Sequence, residues 1–148
     1  MNDGNRPEAV FYLILKIYKA TGKMDKLTVV LVDPPDEEAA SVTLRGEQGE
    51  LVVFCHPCSL TAGDVIENRL SVLDADVHAT YLTDWPESEK EALSTEWIER
   101  TGHYAYRGRG RVLDHGDGLV EVQGFFIDMG ALCVGHVDFE ISRLDLST

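Results

Sequence analysis

The sequence is short of positive charge. Thirteen Lys and Arg stand against 26 Asp and Glu in 148 residues, a formal net charge of −13 at pH 7. Broad affinity for nucleic acid or an anionic membrane needs clustered cations, so neither is expected as a partner of the whole surface. Cysteine is scarce, and its count of 3 is odd. A secreted disulfide framework uses paired cysteines, so these read as free thiols in a reducing cytoplasm. Long apolar runs are missing as well. The stretch 9–15 ends at Lys16, far short of the roughly 20 residues a spanning helix needs. Asp3 stands where a signal peptide carries positive charge, so no signal peptide is expected.

What remains is ordinary globular composition, with 44% hydrophobic and 26% charged residues. The length predicts a single domain over residues 1–148. A chain of this size buries about 70% of its unfolded surface and needs neither disulfides nor metal merely to fold. No internal repeat, low-complexity tract or linker is visible.

Period-two alternation dominates the chain. Residues 10–18 are rich in β-branched and aromatic side chains and lack a helix cap, which predicts a strand, with a buried helix as the alternative. Residues 27–32 form a β-rich run stopped by Asp33-Pro34-Pro35-Asp36. Ser41 to Leu44 alternates, residues 46–49 carry turn chemistry, and 51–55 is an apolar strand ended by His56-Pro57. Residues 64–73 suit either a strand or a short helix capped by Asp64 and Glu67. Residues 77–82 alternate as a strand. One helix is expected near 85–100, with Asp84 as cap, Pro86 in the first turn, Leu93 and Trp97 as its apolar stripe and Gly102 as its stop. Three β segments follow, at 104–113, 119–128 and 137–146, with Asp117-Gly118 as a hairpin signal between the first two.

The expected fold is therefore mainly β, a β-barrel or strongly twisted antiparallel sheet of about eight strands with one helix. Residues 110–146 resemble oligonucleotide-binding-fold barrels in their order of a Gly-containing strand, a hairpin and a closing strand. That likeness is one of topology and implies no function.

Three constellations could carry chemistry. Cys55-His56-Pro57-Cys58 and Cys133-Val134-Gly135-His136 each separate two ligand types by two residues. Together Cys55, Cys58, Cys133 and His136 would give zinc three thiolates and an imidazole. The competing reading is buried core thiols, because side chains three apart on a strand point to opposite faces. The Cys-x-x-Cys pair also admits a redox reading, which would want βα units ahead of it. Arg107, Arg109 and Arg111 alternate with Gly108 and Gly110 and share one face of a strand. They form either an anion or single-strand nucleic-acid platform, or a bent strand whose arginines pair with the chain's own acids. His115, between two aspartates in a turn, is a base candidate or a solvated loop histidine. No nucleophile elbow, phosphate loop or metalloprotease motif occurs.

The last feature is acidic. Glu87, Glu89, Glu91 and Glu96 lie on the expected helix as a solvated face or as a docking surface for a basic partner. The functional expectation is a small acidic cytoplasmic protein acting through protein–protein contacts, as an antagonist of a basic partner. A zinc-binding domain or zinc enzyme and a single-strand nucleic-acid binder are the alternatives. Exposed strand edges add a homodimer to the candidate partners.

Overall fold

The structure is a computed structural model and describes residues 26–113, 118–131 and 133–146. The expected strand at 10–18 and the turn holding His115 lie outside these residues. Twelve strands form one mixed sheet: β1 (Lys26–Asp33), β2 (Ala40–Arg45), β3 (Glu50–Cys55), β4 (Val65–Glu67), β5 (Leu70–Val72), β6 (Ala75–Ala79), β7 (Trp97–Arg100), β8 (Tyr106–Val112), β9 (Leu119–Val122), β10 (Phe125–Asp128), β11 (His136–Ile141) and β12 (Leu144–Leu146). Their order is β4-β1-β2-β3-β12-β5-β10-β9-β8-β11-β6, with β7 joined to β8. The pairings β5 with β10 and β3 with β12 are parallel; the rest are antiparallel.

The mainly β expectation holds, but two details are corrected. Among the described residues the sheet is open, ending in β4 and β6, rather than a closed barrel. It also has more strands than expected, because the segments 64–73, 119–128 and 137–146 each hold two strands and part of the expected helix is a strand. In 119–128 the break is Gln123-Gly124, at φ 48 and 87. Positive φ at both central residues makes the tight turn that suits strand twist. Gln is a weak signal for it, and other side chains hold it. Asn68, 3% exposed, donates to the Gly124 carbonyl at 2.7 Å and accepts from the Phe126 amide at 3.1 Å. Glu96 accepts from the Gln123 amide at 2.9 Å. In 137–146 the break is at Ser142-Arg143: the Ser142 amide bonds to Asp74 and the Leu144 amide to Tyr104. The chain thus leaves β11 and inserts β12 between β3 and β5.

The ambiguous stretch 64–73 contains two short strands, β4 and β5. The helix near 85–100 shrinks to α1 (Glu87–Ala92), which has no side-chain cap. Its predicted second half becomes β7, because Trp97 to Arg100 pair with Arg109 to Tyr106 of β8. A six-residue helix with no buried residue has little to hold it, and the cross-strand pairing wins. Among the described residues no helix is long and apolar enough to cross a membrane.

The alternating side chains explain the core. Leu27 and Val29, Val42 and Leu44, Leu51 and Val53, Val120 and Val122, Val137, Phe139 and Ile141 all point into one cluster around Phe125 and Ile127. The intervening residues of β6, β7, β8 and β11 face outward and build the surface described next.

Candidate functional site

The outward face of β6, β11, β8 and β7 is organised in cross-strand rows. One runs His78, Asp138, Arg109, Trp97; the next runs Asp76, Glu140, Arg107, Glu99. A third places His136 beside Arg111 and Arg111 beside Glu121. Such rows form because antiparallel register sets alternate residues of neighbouring strands opposite one another. Gly108 and Gly110 let the strands close up: a Cβ on Gly108 would collide with the Trp97 carbonyl, and one on Gly110 would lie 2.6 Å from Val120.

The three arginines are all engaged. Arg107 meets Glu99 at 2.8 Å, Arg111 meets Glu121 at 2.7 Å, and Arg109 meets Asp138 at 2.6 Å. Arg109 also donates to the Leu93 carbonyl at 3.1 Å. Burial alone would raise the Asp138 carboxyl, but hydrogen bonds from Arg109 and Thr80 and the Arg109 charge outweigh it and hold it below the usual value. Glu121 goes the other way, because its burial outweighs the pull of Arg111.

The segment 80–96 crosses part of this face. Tyr81 bonds to His136 Nδ1 at 3.1 Å, the Leu93 carbonyl sits on Arg109, and Glu96 reaches the Gln123 turn. Burial pushes the His136 imidazole below its ordinary value, against the opposing pull of Glu96. Of the predicted acidic surface, Glu87, Glu89 and Glu91 are exposed on α1, whereas Glu96 is half-buried and occupied by the turn. Lys90 between them turns back to Glu87 at 3.3 Å and to the Thr83 carbonyl at 2.6 Å. Beyond the crossing, a groove of about 320 Å³ remains, lined by Asp76, His78, Trp97, Arg107, Asp138 and Glu140. Trp97 is 37% exposed there.

The cysteines lie elsewhere. Cys55 is buried at the end of β3 beside Cys58, and its thiol is 3.9 Å from the Pro57 carbonyl. Burial and the neighbouring Cys58 push it up to about 12, so it is protonated at neutral pH. Cys58 and Cys133 pack against the core. No three His, Cys, Asp or Glu come together to hold a metal ion among the described residues, so Cys55, Cys58, Cys133 and His136 are not brought to one point.

One cluster carried no sequence signal. Ser41 on β2 lies 3.1 Å from His103 Nε2 and 2.6 Å from the Tyr104 hydroxyl. Tyr104 packs edge-on against Phe54, which has Arg143 over its ring at 4.5 Å. Residues 62 apart make this contact, so only the topology brings Ser41 and His103 together. No carboxylate orients the His103 ring among the described residues, so the pair lacks the third member of an activated serine.

No family model, curated protein or solved structure matches this chain. The functional reading therefore rests on the surfaces themselves. An exposed indole beside free carboxylates suits a Lys or Arg side chain, held by charge and by the ring face.

Proposed function

We propose that this is a small cytoplasmic binding protein that acts by contact with a basic protein, antagonising a partner that works through its own cationic surface. One observation carries the reading: six of the seven described arginines are matched by the chain's own carboxylates, Arg100 is held by the Gly102 and His103 carbonyls, and the surplus acids are unmatched. Arg45, Arg69, Arg107, Arg109, Arg111 and Arg143 each hold a carboxylate within 3.3 Å. Asp76, Glu89, Glu91 and Glu140 are exposed and have no ion pair or side-chain hydrogen bond among the described residues. A surface of unpaired anions raises encounter rates with cations and repels anionic competitors. The three thiols are free, which supports a reducing cytoplasm.

The nucleic-acid alternative loses support from the same pairing, since Arg107, Arg109 and Arg111 would have to leave their carboxylates to clamp phosphate. The test is affinity capture at low and moderate salt, using the native chain and Glu89→Lys/Glu91→Lys/Glu140→Lys. Raising ionic strength from about 0.01 to 0.15 M shortens screening from about 30 to 8 Å. The expected result is a basic protein retained by the native chain at low salt and lost from the variant. Equal capture by both chains, or none by either, overturns the proposal.

A further inference from the structure

The sheet ends in two unlike edges. β4 is three residues long, whereas β6 offers five, Ala75-Asp76-Val77-His78-Ala79. The Thr80 amide bonds to the His136 carbonyl and the Ser142 amide to the Asp74 carbonyl. Antiparallel alternation then assigns the backbone groups of Asp76 and His78 to β11 and turns those of Ala75, Val77 and Ala79 outward. Nothing among the described residues takes them. The edge also lacks the usual guards: it has no Lys, no Pro and no bulge. Leu73 and Leu82, 63% and 60% exposed, flank it in the chain.

This strand is complementary to itself. Turned about Val77, it sets Val77 opposite its own copy and Ala75 opposite Ala79, the pairs whose outward amides and carbonyls exchange hydrogen bonds. Asp76 then falls opposite His78 in both symmetric positions, in the closer-spaced, non-hydrogen-bonded class where side chains interact most. Asp74 falls opposite Thr80. Shifting the register by one side-chain repeat sets Asp76 against Asp76, where like charges directly opposite are destabilising, or His78 against His78, and either shift gives up both Asp76–His78 pairs. Charge and backbone alternation therefore select the same register.

We propose that β6 is the interface of a two-fold homodimer in which a second copy of this chain extends the sheet, with two Asp76–His78 pairs fixing the register. This surface shares Asp76 and His78 with the groove, whereas Glu89, Glu91 and Glu140, the acids reversed to test the partner reading, lie outside β6, so the two proposals fail separately.

Sedimentation equilibrium of the full chain over a range of concentrations tests it. The native chain is expected to approach twice its 16.4 kDa mass. Val77→Pro removes an outward amide and leaves the β11 ladder intact, and is expected to be monomeric. Should Val77→Pro fail to fold, the charge series decides. Asp76→His alone and His78→Asp alone set like residues together and are expected to weaken the dimer about tenfold each. The double exchange Asp76→His/His78→Asp restores opposite pairs and is expected to return the dimer to native strength. A native chain monomeric at its highest soluble concentration overturns the proposal, as does a dimer indifferent to all these changes.

Discussion

The Tyr106 hydroxyl accepts a hydrogen bond from the Val52 amide at 2.8 Å and donates one to the Val52 carbonyl at 2.9 Å. Val52 lies on β3 where β12 pairs only at Phe54, so a side chain stands in for the missing strand. Tyr106 is 3% exposed, and burial raises its phenol, which keeps the donor proton in place. Tyr106→Phe strands two backbone groups and is expected to cost about 1–3 kcal/mol in urea denaturation. An unchanged midpoint would show that water replaces the hydroxyl at no cost.

The closeness of β7, β8 and β9 depends on glycine. Gly108→Ala must displace the Trp97 carbonyl or the Phe139 ring, and Gly110→Ala must displace Val120 or the Glu121 carbonyl. Each is expected to lose about 1–3 kcal/mol. Gly49→Ala meets nothing within 4 Å and serves as the control, with an expected change within about 0.5 kcal/mol. Similar losses at all three positions would contradict the packing described.

Asp138 and Glu121, each paired with an arginine on β8, are expected to titrate in opposite directions. Asp138 falls below its ordinary 3.8 and Glu121 rises above its ordinary 4.5. Asp138 therefore adds stability above its unfolded value and loses it as pH falls through its folded value. Glu121 does the reverse: its contribution is complete below 4.5 and fades as pH rises through its folded value. Carboxyl carbon NMR over an acid titration reads both directly, and a shared direction would refute the burial difference.

Much of this was legible as alternation. Apolar residues at every second position of β2 and β11 announce strands with one buried face, and the unbroken apolar run 51–55 announces β3. Gly108 and Gly110 announce a bent strand, while the close approach they allow follows from the neighbours the topology brings against them. What escaped the sequence depends on distant partners. The Gln123-Gly124 turn is held by Asn68 and Glu96, neither adjacent in sequence. The helical spacing of Leu93 and Trp97 was overridden by pairing with β8. The Ser41–His103 contact and the separation of the cysteine pairs are set by sheet order alone, which no local spacing encodes.

Cys55 gives a test of burial at the end of β3. With its thiol moved from 9.0 to about 12, it is expected to resist alkylation at pH 8 until the protein unfolds. Its contribution to stability is complete below 9.0 and is lost as pH rises through about 12, so Cys55→Ala should flatten the alkaline decline. Rapid labelling of Cys55 in the folded protein would place it at the surface.

The central claim is that unpaired acids on the exterior do the binding. Its most direct measurement is the affinity for the captured basic partner as a function of salt. The native chain is expected to weaken at least about tenfold between roughly 0.05 and 0.2 M salt, and Glu89→Lys/Glu91→Lys/Glu140→Lys to lose both affinity and slope. An affinity flat with salt, and unchanged by reversing these charges, would contradict it.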